Sequence, residues 1–366
     1  MDRLFPFGFP FPTAFYLTLY VLTFALHQAF MHYVLAGSLY VAWATLFPGR
    51  ASIPRAEQPL AATLRDWMPF LLSAAITAGV APLLFVQIVY QREFYTANLL
   101  LWWRWLLVVP VLIVAFYLLY LLKSSLLSRW PHIARSTVAL GTAACFVFVG
   151  YSWTANHLLG NAAAHWPDVY ATGRLPFDWT TLILRMLVWL GGSFATLSAI
   201  AGWQLLYRQK REDDQFDVIE TRTLALMSLT GLAVALVAGV AYLMDVDAAS
   251  RRLVFGGFAL PYFVLAIAGL ILQITAWSLS HRAGRLDGRW LTTASLGAVF
   301  SLLGVSVIRE ALRIGVVDFA SLVPRHAQAA TVGGFAVFVI SAVLASLLIA
   351  WSVWLVRRGV AQSTPR

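Results

Sequence analysis

Apolar residues in this chain come in long continuous runs, separated by short polar stretches. They do not alternate, which excludes half-buried strands, and the runs outlast what a soluble helix needs. About 20 predominantly apolar residues in helical form cross the hydrocarbon core of a bilayer. Lipid offers backbone amides no partner, so a spanning segment is a helix or part of a closed barrel. Continuous runs favour helices. The pattern predicts about nine spans, at residues 14–47, 67–91, 98–122, 136–159, 179–207, 223–244, 253–279, 290–312 and 330–356. The first is too long for one crossing, so its opening, Phe11 to Thr23, is expected to lie along the interface or protrude from it. Pro82, Pro110 and Pro261 fall within spans, where membrane helices tolerate proline and kink.

Composition removes the soluble alternative. A length of 366 residues suits two soluble domains, but 60% of the chain is hydrophobic and 11% charged. Soluble proteins carry about 25% charge. The longest loops are about 18 residues, too short for a soluble domain. The reading is an all-α polytopic membrane helix bundle, one domain over residues 1–358, with a disordered cytoplasmic tail at 359–366. Glu212, Asp213 and Asp214 read as a solvated cytoplasmic face.

The net charge of +10 reports topology. Basic residues sit in short loops, which points to anionic lipid and to orientation, not to nucleic acid. Sixteen Lys and Arg fall on one set of alternate loops and seven on the other, while Arg104, Arg185 and Arg309 lie within spans. The N-terminus is therefore expected outside and the C-terminus in the cytoplasm, in a bacterial inner membrane. No basic region with a cleavage site opens the chain, so no removable signal peptide is expected. The single cysteine, Cys145, reads as a small core residue. No CxxCH site for c-type haem, no CxxC, no HExxH and no Walker loop occurs.

Ionisable groups within a bilayer cost several kcal/mol and mark function. With the orientation above, Arg104, Arg185 and Arg309 all lie near the outer ends of their helices. Either each snorkels to the headgroups or together they hold an anionic ligand. Histidines gather on the same side: His27 and His32 on the first helix, His157 at the end of the fourth and His165 beyond it. His27 and His32 are about 140° apart around their helix, so one ring can face a cofactor while the other faces a neighbouring helix. Interhelical hydrogen bonding is one reading of such histidines. Haem ligation is the other, since haem iron takes His or Met ligands and its propionates would give the arginines their anion. His32, His27 and His157 are the candidate ligands, with Met31, Met186 and Met244 as candidates for a sixth position. Gln87, Glu93, Asn156, Glu310 and Arg313 add polar groups at the same ends, with Glu310 or Glu93 as proton carriers. Arg309 and Arg313 share a helix face by their spacing of four.

This arrangement resembles subunit I of the cytochrome bd quinol oxidases. That family has nine helices, an outer N-terminus and a haem-ligating His shortly after a Phe-Ala-Leu stretch. Phe24-Ala25-Leu26 matches the stretch, His32 matches the ligand best, and His27 is its rival. The run from Ala78 to Thr96 is similar to the family's second helix, with Gln87 at its Gln. The likeness covers roughly residues 1–160. It departs where the fifth helix has Met186 and no His, and where the loop after the sixth helix, Asp245 to Arg252, is too short for the family's quinol-binding loop. The resemblance implies a haem b-binding electron-transfer subunit that exchanges electrons at the outer face between quinol and a periplasmic partner, such as a c-type cytochrome. A haem-free quinol-binding anchor of a larger oxidoreductase and an anion transporter are the alternatives.

Overall fold

The computed structural model describes residues 3–49, 55–176, 179–212, 218–331 and 334–363. Asp213 and Asp214 of the acidic stretch, and the last residues of the expected tail, lie outside these. The described residues form helices and no strand. In chain order the helices are α1 (Phe11–Leu46), α2 (Pro59–Val89), α3 (Gln91–Leu101), α4 (Trp103–Leu106), α5 (Val108–Lys123), α6 (Ser125–Ser128), α7 (His132–Gly160), α8 (Trp166–Thr172), α9 (Trp179–Glu212), α10 (Val218–Asp245), α11 (Ala248–Phe255), α12 (Leu260–Ala283), α13 (Gly288–Val316), α14 (Val323–Thr331) and α15 (Gly334–Ser363).

Among the described residues eight helices are long and apolar enough to cross a membrane: α1, α2, the run Trp103–Lys123, α7, α9, α10, α12 and α13. Large apolar side chains such as Leu84, Ile113, Val237 and Ile271 stand exposed along these helices. A soluble protein could not present such a surface to water, whereas lipid accepts it. The chain thus has the character of a multi-pass membrane protein. The ninth expected span falls on α15, where the described apolar stretch is Phe338–Leu348. That helix runs on to Ser363, into the stretch expected as a tail.

Several expected spans differ in their starts, the second reaching back to Pro59 and the sixth to Val218, and three have distinct local features. The third begins at Trp103, because Trp102 takes φ 47 and separates α3 from the span. The seventh begins at Leu260, because α11 ends at an extended Gly256. The first is one continuous helix, Phe11–Leu46. Its opening continues that helix beyond the length of one crossing, with Thr13, Tyr16, Leu17, Tyr20 and Val21 buried and α14 packed across that end.

Helix α1 is the centre of the bundle, packed on α2, α7, α9 and α13. Outer pairs approach backbone to backbone. A Cβ at Gly191 would sit 2.5 Å from the Gly231 carbonyl oxygen, and one at Gly269 2.5 Å from that of Gly297. Small residues at such crossings replace the hydrophobic drive that lipid cannot supply. One end of the bundle gathers the start of α1 with the ends of α2, α7 and α13. We call it the N-face.

His326 locks α14 there. It is fully buried, with Nδ1 3.0 Å from Thr13 Oγ1 and Nε2 3.0 Å from the Val89 carbonyl oxygen. The carbonyl can only accept, so Nε2–H donates to it and Nδ1 accepts from Thr13. Burial holds this imidazole below its ordinary pKa. The neutral ring therefore stabilises the fold fully above about pH 6.5, and that contribution fades as pH falls through the lowered value. His326→Ala should cost about 3 kcal/mol by stranding two buried partners. It should also flatten the acid limb of a melting-temperature profile between about pH 7 and 5; an unchanged limb would show that another group controls it.

Candidate functional site

Four helix faces converge toward the N-face, each built by spacings of three and four. On α1 the face is Tyr20, Phe24, Gln28 and His32. On α13 it is Ser306, Arg309, Glu310 and Arg313. Helix α7 brings Gly150, Thr154 and His157, and α9 brings Arg185, Trp189 and Thr196. Contacts join them. Ser306 donates to Gln28 Oε1 at 3.0 Å. Arg309 Nη2 donates to the Tyr20 hydroxyl at 3.2 Å, and its guanidinium lies 4.2 Å from the Phe24 ring. The Trp189 indole N–H donates to Thr154 Oγ1 at 3.3 Å, and that ring occupies the space a Cβ at Gly150 would take.

Glu310 is the hub, 1% exposed. Its Oε2 accepts from the Tyr90 hydroxyl at 2.9 Å, and its Oε1 lies 3.4 Å from Arg309 Nη1. Arg313, 2% exposed, presses its guanidinium to 3.5 Å from the Tyr90 ring centre. His157 is buried, and Arg185, Arg309 and Arg313 are all near enough to act on it electrostatically. Arg309 pairs with the carboxylate directly, while Arg313 lies on Tyr90 and Arg185 lies 5.6 Å from the Tyr242 ring centre. Among the described residues both ring nitrogens of His157 and Arg313 Nε have no hydrogen-bond partner, and Arg309 Nη1 and Glu310 Oε1 meet only each other, as an ion pair. Buried polar groups are nearly always paired. A cluster of unmet donors with excess positive charge suits an anion or a strong hydrogen-bond acceptor.

His32 lies deeper. Its Nδ1 is 3.1 Å from Thr196 Oγ1. The Thr196 hydroxyl also lies 3.2 Å from the Gly192 carbonyl; with its proton there it accepts from Nδ1–H. In that tautomer Nε2 carries a bare lone pair, buried and without a hydrogen-bond partner among the described residues. His27 turns the other way, toward α2. Its Nδ1 is 2.9 Å from the Ala75 carbonyl oxygen, and its ring fills the space a Cβ at Gly79 would need.

Helix α9 serves as a ruler. From Thr196, beside His32, to Trp189, beside Thr154, is about 10 Å of helix rise, and His157 lies about 4.5 Å further on. His32 and His157 are thus separated by about 15 Å along the bundle. Two nitrogens on one metal ion sit about 4 Å apart, given bonds near 2 Å. The two histidines cannot share an iron.

The other candidates lie apart. Arg104 is half-buried and stacks 4.8 Å from the ring of exposed Trp103. Gln87 accepts from Tyr95 at 2.8 Å on an exposed surface. His165 is exposed, and Met186 is half-buried on α9. Asn156 donates to Asn98. Glu93 is buried on the N-face, where its backbone carbonyl and Arg313 Nη2 both lie against Gly160. Tyr90, Tyr20 and Thr196 were not singled out from sequence, because hydroxyl groups are common in membrane helices. The four-residue step from Tyr20 through Phe24 and Gln28 to His32 was the available signal.

An apolar groove of about 340 Å³ runs between α9 and α10, lined by Leu184, Leu187, Val234 and Val237. No three His, Cys, Asp or Glu side chains converge among the described residues, which argues against a chelated metal ion of the zinc type. Haem asks less of the chain, one or two axial ligands, and the bare Nε2 of His32 with its fixed Nδ1 fits that role.

No family model matches the chain, and no curated protein or solved structure matches it. The resemblance to cytochrome bd subunit I rests on the quoted residues alone.

Proposed function

We propose that this chain is a membrane-embedded electron-transfer subunit that binds haem b through His32 and exchanges electrons between quinol and a redox partner on the N-face, taken as the periplasmic side of a bacterial inner membrane. The observation that carries it is the state of His32. A buried imidazole with one nitrogen anchored and the other bare is how proteins present histidine to a metal, the anchoring partner fixing tautomer and ring direction. Haem supplies reversible one-electron chemistry when bound. The residues around it do the rest. Arg309, Arg313 and Arg185 provide cations for propionates or a quinol oxygen, and the groove between α9 and α10 offers an apolar bed for a quinol tail. Glu310, buried and hydrogen-bonded to Tyr90, is the group placed to accept a quinol proton. The chain has no attachment site for c-type haem, so a separate periplasmic cytochrome c would take the electrons.

The decisive measurement is an absorption spectrum of the purified protein, oxidised and then reduced. A Soret band with reduced α and β bands supports the reading, and its absence from protein prepared with haem available would sink it. Binding of a quinone analogue without any haem absorbance would favour the haem-free anchor. An anion transporter fits less well, because transporter sites lie near the bilayer midplane and the arginines here sit toward one end.

A further inference from the structure

A second polar site lies on the N-face, independent of the haem reading. It is a cavity of about 90 Å³ where α3, the end of α7 and the connection after α13 meet. Its walls include Glu93, Gly160, Asn161, Val316, Asp318 and Ser321. Four of these carry side-chain oxygen, and none carries a ring nitrogen or sulfur.

Fixed negative charge outweighs positive in the cavity wall, even though α3 starts at Gln91 and brings its positive N-terminal end alongside Glu93. Helix α7 ends at Gly160 and α13 at Val316, so both direct their C-terminal ends at the cavity. Each such end carries about half a negative charge. Glu93 adds a carboxylate that is only 9% exposed, and its Oε2 has no hydrogen-bond partner. Asn161 Oδ1 is likewise unpartnered. Asp318 adds a second carboxylate, and Ser321 donates its proton to the Asp318 carbonyl at 2.8 Å, which leaves its oxygen free to coordinate. Two arginines are close, and aromatic rings engage both. Arg92, in the cavity wall, lies 5.4 Å from the Trp166 ring centre. Arg313 is stacked on Tyr90, behind Gly160. A buried carboxylate without a partner is costly, and a cation in the cavity removes that cost.

We propose that this cavity is a divalent cation site, of the class that takes Ca²⁺, which ties together α3 and the ends of α7 and α13. All-oxygen donors select hard cations over zinc or copper. Two carboxylates with an amide, a hydroxyl and room for waters match the variable coordination of Ca²⁺ better than the strict octahedron of Mg²⁺. Two protein charges on an open rim predict modest affinity, in the range of extracellular Ca²⁺ modules, about 10⁻⁴ to 10⁻³ M.

The test uses the full-length protein in detergent, stripped with EDTA and then titrated with CaCl₂ or MgCl₂ while thermal unfolding is followed. The expected result is a saturable rise of a few degrees in melting temperature with Ca²⁺, and a smaller rise with Mg²⁺. Glu93→Gln should abolish the rise, and Asp318→Asn should weaken Ca²⁺ at least tenfold. Asp318 is exposed, so its variant reads the site even if Glu93→Gln does not fold. No Ca²⁺-dependent rise in the parent protein would overturn the proposal. So would an equal rise in the parent and the Asp318→Asn protein, which would mark Ca²⁺ as acting on the surface at large.

Discussion

His32→Ala is expected to leave the purified protein with little or none of its haem b absorbance, while His27→Ala keeps most of it. Both residues are histidines on α1, five positions apart, yet their surroundings differ in the one respect that matters for a metal. His27 Nδ1 is held by the Ala75 carbonyl and its ring is packed against Gly79, so it serves the contact with α2. His32 spends Nδ1 on Thr196 and keeps Nε2 bare in a buried position. Thr196→Val should show the same dependence in weaker form. It leaves the ligand but removes the acceptor that fixes its tautomer, a change that typically costs 10–100-fold in metal affinity. The fold should survive, because Thr196 loses two hydrogen bonds, each worth about 1 kcal/mol. Haem content per protein, from the reduced-minus-oxidised spectrum at matched concentration, decides between these outcomes. Full absorbance in His32→Ala would move the ligand elsewhere, with His157 as the next candidate. The depth difference matters here, since His157 lies about 15 Å nearer the N-face and cannot replace His32 at the same iron.

The helical class and the positions of most spans were legible because a bilayer imposes one requirement on every spanning segment, a long apolar run, and composition alone displays it. The span starts were less legible. Trp102 interrupts an apolar stretch by a backbone angle that hydropathy does not register. The opening of α1 is surplus to one crossing, and hydropathy does not register that α14 packs on it through Thr13 and His326. The site was legible in part. Rarity pointed to Arg185, Arg309 and Glu310, since ionisable residues in spans are few. It did not reveal pairing. Arg104 has the same rarity but stacks on an exposed Trp103, as a snorkelling residue does. Tyr90 and Thr196 are ordinary residues whose importance comes only from what they touch. His326, placed in a loop by the sequence pattern, is instead among the most buried histidines of the chain.

Glu310→Leu should be the most destabilising single change at the N-face, by about 3–5 kcal/mol, the usual result of removing one partner from a buried charge pair. The estimate follows from the charges. Arg309 pairs with this carboxylate, and Arg313 and Arg185 stand within electrostatic reach, so deleting it removes the anion that offsets them. Glu310→Gln should cost less, because the amide oxygen can still accept from Tyr90 and the volume is kept. Its remaining cost measures the charge alone. The double variant Glu310→Leu with Arg309→Leu should recover part of the loss, since it removes the stranded cation along with its partner. Unfolding of the four proteins in one detergent gives the order. If Glu310→Leu lay within about 1 kcal/mol of the parent protein, the arginines would have to be solvated, as surface pairs are, and their burial around His157 would no longer argue for a bound anion. If the loss is large and a quinone analogue or added haem reduces it, that ligand supplies the missing acceptor, and the unmet donors of Arg309, Arg313 and His157 are where it binds.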